Sequence, residues 1–329
     1  MIPVISFLII IFSLLLIKAA DMVIVAGRRI AQEAHIATYS VAAIILALGT
    51  SLPELFVGIT SALEGSPNLA FGVVLGSNIS NVALIGGISA LMVGKVFVRD
   101  YVKSDVWISL FAGTLPLFLA LDKSISRVDG LILLMVYFAY TTGFFKRRFE
   151  EVGKKQAEEK FVYRFVREFK TIESIKAKEF GRLFLGLALL LFSADMLVRF
   201  SSQLASLANI PVFLIGLFVL AIGTSLPEFA FSIRSLEDHE PSMFFGNILG
   251  STIANSTLII GLTTLISPLE ITGFNEYVTG VVAFFVIFLT FWFFIKSKHR
   301  LDRWEAGVLL ILYFILSCRS PLKTSKFGF

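Results

Sequence analysis

The chain has 329 residues, of which 56% are hydrophobic and only 16% are charged, and its formal net charge is +5. Soluble domains carry about 45–50% apolar and about 25% charged residues, so the composition excludes an ordinary soluble globular protein. The positive excess lies in short segments between apolar blocks, and it gives no reason to expect a nucleic-acid partner. The lipid bilayer is the expected surrounding.

Ten apolar blocks follow one another along the chain. As helices they rise 1.5 Å per residue and are long enough to cross a hydrocarbon layer of about 30 Å. Their approximate limits are 2–26, 37–63, 68–94, 104–121, 126–145, 180–207, 210–235, 242–268, 277–296 and 303–319. The first lacks a basic start and a small-residue cleavage site, so it is interpreted as a spanning helix rather than a signal peptide. The sequence predicts an all-α polytopic membrane protein with ten transmembrane helices.

Basic residues are concentrated after the first, third, fifth and ninth blocks. Arg28 and Arg29 follow the first block, and Lys146, Arg147 and Arg148 follow the fifth. If ten helices cross in turn, these segments share one side of the membrane, and positively charged loops stay cytoplasmic. This predicts a multi-pass protein of the plasma membrane with both termini outside and a cytoplasmic linker.

The chain contains an internal repeat with an offset of 174 residues. Residues 49–87 match residues 223–261 at 19 of 39 positions. We therefore divide the chain into a first five-helix repeat, 1–145, a basic linker, 146–179, and a second five-helix repeat, 180–329. A unit with an odd number of helices enters the membrane from the opposite side when it is duplicated, so the repeats are predicted to have inverted topology. This arrangement is expected of a transporter, not of an enzyme.

The most similar stretch is Gly49-Thr-Ser-Leu-Pro-Glu54, which recurs as Gly223-Thr-Ser-Leu-Pro-Glu228. Proline removes a backbone donor, so each helix should break near the membrane midplane. A break frees carbonyl oxygens, which is tolerated at this depth only where protein or a water-filled cavity supplies partners. Those oxygens, together with nearby hydroxyls, form a set of neutral hard ligands; the hydroxyls are those of Thr50, Ser51, Thr224 and Ser225.

A glutamate follows each proline, and a carboxylate at this depth is costly unless it is paired, protonated or bound to a cation. Glu54 and Glu228 together carry two negative charges, which one divalent ion, two monovalent ions or two protons would neutralise. The same charge satisfied by different cations in turn is the chemical basis of an exchanger. Calcium suits all-oxygen sites, whereas zinc or copper would require histidine or cysteine, which these segments lack. No cofactor is expected beyond the transported ions.

A second repeated element follows each broken helix. Gly76-Ser77-Asn78-Ile79-Ser80-Asn81 aligns with Gly250-Ser251-Thr252-Ile253-Ala254-Asn255. Small residues permit close helix packing, which is sufficient to explain the glycines. An amide inside lipid-embedded helices needs a polar partner, so Asn81 and Asn255 are expected to line the cavity.

These motifs resemble the α-repeats of the sodium/calcium exchanger family, of the microbial type with two α-repeats, within the calcium:cation antiporter superfamily. The likeness covers residues 19–94 and 193–268. It implies two inverted five-helix repeats in which sodium entry drives calcium extrusion by alternating access, in a monomeric functional unit. It also implies that Glu54, Glu228 and the Thr50 and Thr224 carbonyls hold Ca²⁺. The residues implied for Na⁺ are Ser51, Glu54, Ser77, Asn81, Ser225, Glu228, Ser251 and Asn255.

Two positions depart from the family pattern. Asn255 stands where many relatives have aspartate, which argues against potassium dependence because an amide does not titrate. Val73 stands opposite Asn247 in the repeat, where relatives often have asparagine.

Two alternative functions stay open: a proton-coupled Ca²⁺ exchanger on the same scaffold, and a passive cation channel. The hydroxyl-rich Thr-Ser pairs favour sodium, and the in-plane two-fold repeat argues against a channel.

Overall fold

The computed structural model describes residues 2–33, 49–98, 100–152, 177–271, 274–298 and 300–319, and these are almost entirely helical. In the first half the helices are α1 (Ile2–Glu33), α2 (Leu52–Leu63), α3 (Pro67–Ser80), α4 (Gly86–Val93), α5 (Asp100–Leu119) and α6 (Arg127–Val152). In the second half they are α7 (Ala177–Ala208), α8 (Val212–Leu214), α9 (Ala221–Thr224), α10 (Leu226–Glu237), α11 (Pro241–Ile253), α12 (Ile260–Ile266), α13 (Phe274–Lys298) and α14 (Arg303–Arg319).

Wider π-helical turns join several of these helices into longer rods. The π-helical segments are Asn81–Ile85 between α3 and α4, Ile215–Leu220 between α8 and α9, and Ala254–Ile259 between α11 and α12. A single 3₁₀ turn, Ala120–Asp122, follows α5. The rods α3–α4 and α11–α12 occupy corresponding places in the two halves.

Every predicted apolar block contains helix within the described residues, although the blocks differ in length. Six helical units in these residues are long and apolar enough to cross a membrane, and a seventh is obtained if the bent pair α8–α9 and α10 is counted as one span. The chain is therefore a multi-pass helical protein, and the count of ten spans stays a prediction. Residues 37–48 of the second block and most of the 146–179 linker lie outside the described residues.

The helix breaks occur at Ser51 and Ser225, and the two serines adopt nearly the same backbone conformation. Ser51 has φ −87° and ψ 8°, and Ser225 has φ −84° and ψ 5°. The proline of each motif then lies in the first turn of the following helix, where its missing N–H costs nothing. In the second half the helical pieces meet at an angle of 41°, which confirms the predicted break there.

Helices α1 and α7 form a pair whose apolar cluster also takes residues from α2, from α3 and from the π-helical segment Ile215–Leu220. Arg29 and Glu179 meet at one end of the pair with an N–O distance of 2.9 Å, and Phe12 contacts Phe192 and Phe200 further along. These contacts run in opposite directions along the two chains, so the helices are antiparallel. The remaining helices share a larger core, rich in phenylalanine from α3, α11 and α13.

Two short antiparallel strand pairs connect the halves. Strand β1 (Val96–Phe97) pairs with β4 (Arg300–Leu301), and β2 (Ser124–Ile125) pairs with β3 (Leu269–Glu270). Each pair therefore takes one strand from each half. At the repeat offset β1 overlaps β3, and β2 falls two residues before β4, so the two pairs are approximate counterparts of one another.

The rod α3 crosses the π-helical segment Ile215–Leu220 at very short range. A Cβ atom added to Gly72 would collide with the carbonyl oxygen of Phe213, and one added to Gly216 would collide with that of Leu69. Because the atoms that such a Cβ would meet belong to the backbone, no flexible side chain could move away to make room. The crossing places Ser77 of α3 beside Ala221 at the start of α9.

We expect Gly72→Ala to lower the apparent melting temperature in detergent, because overpacking of this kind costs about 1–3 kcal/mol. Gly181→Ala is the matched control, since no described atom lies within 4 Å of a Cβ at that exposed helical position. It should leave the melting temperature unchanged or raise it slightly. Circular dichroism melts of both variants make the comparison, and equal melting temperatures would show that the crossing has room to adjust.

Candidate functional site

The ten side chains predicted to bind cations are all buried. Each exposes 6% or less of its surface: Thr50, Ser51, Glu54, Ser77, Asn81, Thr224, Ser225, Glu228, Ser251 and Asn255. Seven of them are connected through the two glutamates by hydrogen bonds or close approach, whereas the two asparagines and Thr50 have other partners or none.

Glu54 lies in the first turn of α2 and receives hydroxyls from both halves of the chain. Its Oε1 accepts hydrogen bonds from Ser77 Oγ at 3.3 Å and from Ser225 Oγ at 3.4 Å. Its Oε2 is buried and has no partner. Because Ser77 comes from α3 and Ser225 from the break of the second half, Glu54 lies at the junction of the two repeats.

Glu228 occupies the equivalent position in α10, and neither of its carboxylate oxygens has a hydrogen-bond partner. The hydroxyls of Ser51 and Ser251 lie beside it without meeting hydrogen-bond geometry, and Glu54 is near enough for the two charges to repel. Three of the four carboxylate oxygens of the two glutamates are thus unpartnered. Such groups are costly to bury unless a proton or a cation satisfies them.

No cationic side chain neutralises these carboxylates in the part of the chain that the structure describes. The ion pairs found there lie elsewhere, as in Arg29–Glu179, Arg199–Asp195 and Arg234–Asp238. The buried cluster around the glutamates therefore contains two acids, serine hydroxyls and the amide of Asn247. This donor set is made of hard oxygens and suits Na⁺ or Ca²⁺.

The two threonines of the repeated motif make different hydrogen bonds. Thr224 Oγ1 lies 3.4 Å from Ser77 Oγ and donates to the carbonyl oxygen of Ala221 at 3.4 Å. Thr50 Oγ1 instead donates to Asn247 Oδ1 at 3.2 Å. The repeat is therefore symmetric in sequence at these positions but not in its contacts.

The two predicted asparagine ligands, Asn81 and Asn255, lie in π-helical segments. Such segments are frequent at functional sites. Asn81 begins the first segment, and both its amide oxygen and its amide nitrogen are buried without a partner. Asn255 lies in the corresponding segment and donates from Nδ2 to Asn78 Oδ1 at 3.2 Å, while its Oδ1 has no partner. Asn78 donates in turn to Ser256 Oγ at 2.8 Å.

Two polar residues beside the cavity were not among the predicted ligands, namely Asn78 and Asn247. Asn78 is fully buried and holds the amide of Asn255; its repeat counterpart Thr252 bonds only to Ile248 of its own helix. Asn247 connects Thr50 with Glu228. At both positions the two repeats have different residues, Asn78 opposite Thr252 and Asn247 opposite Val73. That sequence difference could have identified the two asparagines.

A site for a transition metal is not formed in the described residues. Within those ranges no three side chains of the types His, Cys, Asp and Glu gather closely enough to hold a metal ion.

The chain is similar in sequence and in fold to known membrane proteins. A family profile described as sodium/calcium exchanger protein matches residues 4–146 and again residues 178–320. The sodium/calcium exchanger MaX1 of Methanosarcina acetivorans is 29% identical over 94% of this chain and 96% of its own length. The inner membrane protein YrbG of Escherichia coli is 30% identical over 80% of each chain. The solved structure of the sodium-calcium exchanger NCX_Mj, soaked with Na⁺ and Sr²⁺, has the same fold, with a TM-score of 0.61 at 23% identity over 97% of this chain and 99% of its own.

We expect Asn78→Val to lower the apparent melting temperature, because it leaves the Asn255 amide and the Ser256 hydroxyl without their buried partner, at a cost of about 1–3 kcal/mol. Thr252→Val removes a hydroxyl at the equivalent position that bonds only within its own helix, and it should have a much smaller effect. Thermal melts of the two variants in the same detergent test this. A larger loss in Thr252→Val would contradict the assigned role of Asn78.

Proposed function

This chain belongs to the sodium/calcium exchanger family, and we propose that it is a secondary active antiporter that exchanges Na⁺ for Ca²⁺ across the membrane by alternating access. The observation that carries the proposal is the pair of buried glutamates, one from each half, with three unpartnered carboxylate oxygens between them. A pair of charges that lacks a protein counter-ion must bind a cation or protons at every stage of transport. An exchanger uses that requirement, since one cation leaves only as another replaces it.

The proposed ligand sets are those that the family motif implies for this sequence. We assign Ca²⁺ to Glu54 and Glu228 together with the backbone carbonyls of Thr50 and Thr224. We assign Na⁺ to the two glutamates and the surrounding neutral oxygens, which are those of Ser51, Ser77, Asn81, Ser225, Ser251 and Asn255. Calcium binds six to eight oxygens, which requires ligands that converge from both halves of the chain.

We propose that the chain crosses the membrane ten times as two inverted five-helix repeats. The separate match of each half to one family profile and the exchange of strands between the halves support this architecture. The basic segments support a cytoplasmic linker at 146–179 and termini on the outside. We further propose a plasma-membrane location, a monomeric functional unit, and no cofactor beyond the transported ions.

Sodium is the proposed coupling ion because of the neutral oxygens around the carboxylates. Protons would need only the glutamates themselves, whereas Na⁺ needs several further oxygen ligands. Four serine hydroxyls lie beside the acids, and the oxygens of Ser51, Ser251, Asn81 and Asn255 are buried without any partner. These unpartnered oxygens suit a dehydrated monovalent ion.

We expect proteoliposomes loaded with sodium to take up calcium-45 when they are diluted into sodium-free buffer. Uptake should collapse when the sodium gradient is removed and should not be restored by a proton gradient alone. Uptake driven by protons and indifferent to sodium would replace this proposal with a proton-coupled exchanger. Calcium flux that needs no counter-ion on the opposite side would indicate a channel.

We expect Glu54→Gln and Glu228→Gln each to abolish sodium-driven calcium uptake, because either change halves the charge that balances a divalent ion. The variants should still fold, since an amide is easier to bury than an unpaired carboxylate. Glu270→Gln, at an exposed strand position, is the control and should transport normally. Normal exchange in either site variant, at normal expression and melting temperature, would show that the ions bind elsewhere.

A further inference from the structure

Asn247 connects the two helix breaks across the repeat boundary. It lies on α11, and its Oδ1 accepts a hydrogen bond from Thr50 Oγ1 at 3.2 Å. Its Nδ2 lies 3.3 Å from the backbone carbonyl oxygen of Glu228 and 3.3 Å from Ser232 Oγ, and it donates to both. One side chain therefore contacts the break of the first half and the start of the helix that holds the second glutamate.

The orientation of this amide follows from its partners. A backbone carbonyl is only an acceptor, so the group that faces Glu228 must be the NH₂ of Asn247. Its oxygen then faces Thr50, whose hydroxyl supplies the proton. The amide oxygen and the amide nitrogen of Asn247 each have a partner. A side chain that lacks either a donor or an acceptor would lose one of these contacts.

The first half has no equivalent connection. The counterpart of Asn247 is Val73, which is 1% exposed and packs in the apolar cluster that also contains Leu69 and Val57. Thr224, the counterpart of Thr50, lacks an amide partner and instead contacts Ser77 and the Ala221 carbonyl. Only one of the two breaks is thus held to the glutamate of the other half by an amide.

We propose that Asn247 is a positioning residue for calcium: it fixes the distance between the Thr50 segment and Glu228, so that both converge on one ion. The inference rests on the proposed function, in which the Thr50 carbonyl and the Glu228 carboxylate are both calcium ligands. Asn247 itself is not a ligand, because its oxygen is engaged by Thr50.

Loss of the Asn247 contact is expected to affect calcium binding and sodium binding differently. Glu228 belongs to both ligand sets, but Thr50 belongs only to the calcium set, so releasing Thr50 from Asn247 weakens calcium binding more than sodium binding. A role in folding alone would not make this distinction, since it would change the amount of active protein and leave both apparent affinities unaltered.

The test is calcium-45 uptake by proteoliposomes that contain Asn247→Val, which places in the second half the residue found in the first. We expect KM for Ca²⁺ to rise about tenfold, as the loss of the partly buried hydrogen bond to Thr50 predicts. The half-saturating concentration of Na⁺ and the maximal rate per folded protein should stay within about twofold of the unchanged chain. Asn68→Val is the matched control, because it removes an amide that donates to the Glu270 carbonyl, away from the glutamates.

A double-variant cycle identifies the hydrogen bond itself. Thr50→Val should raise KM for Ca²⁺, and the combined variant should be no worse than Asn247→Val alone, because Asn247→Val already removes the one hydrogen bond that Thr50→Val removes. Thr50→Val also tests the proposal if Asn247→Val does not fold. Additive effects, an unchanged KM for Ca²⁺, or equal shifts for Na⁺ and Ca²⁺ would overturn the role of Asn247.

The unchanged chain is measured first, so a failure of the proposed function is seen separately. Absence of sodium-driven uptake in the unchanged chain contradicts the exchange proposal. Normal uptake in the unchanged chain and an unaltered KM in Asn247→Val contradict only the positioning role.

Discussion

The rest of the structure depends on two carboxylates that lie inside a helical membrane protein without a basic partner among the described residues. Glu54 and Glu228 are fully buried, and their mutual repulsion adds to the cost of removing them from water. The surrounding features reduce that cost. Helix breaks bring hydroxyls to the glutamates, π-helical turns hold two buried asparagines, and the close crossing at Gly72 brings the two halves into contact. Each feature is repeated, or nearly so, in both halves.

The site is nevertheless asymmetric. Glu54 receives two hydroxyl donors, whereas Glu228 receives none. Asn255 is held by Asn78, while Asn81 has no partner for its amide. Duplication of a sequence supplies two copies of each ligand, and later differences such as Val73 opposite Asn247 make the copies unequal. Under the proposed exchange, unequal copies let one buried cluster offer a different set of oxygens to each ion.

The sequence predicts those features that depend on local chemistry. Proline within an apolar block indicates the break at Ser225, and a glutamate at that depth indicates a cation site. The partners of Asn78 and Asn247 are beyond such reasoning, because they lie 178 and 197 residues away along the chain. Which atom of an amide faces which neighbour depends on the packing of both repeats. The number of spans is also harder to predict, since several helices are short and are interrupted at the cavity.

The two strand pairs have a consequence for how the protein is made. Strand β1 is synthesised about two hundred residues before its partner β4, and β2 is likewise synthesised before its partner β3. The first half therefore leaves the ribosome with two open strand edges and with a glutamate whose hydroxyl partner Ser225 does not yet exist. A lone half is an incomplete structure rather than a small transporter. An ancestral single-copy chain would have had to find its missing half in a second molecule, inserted in the opposite orientation.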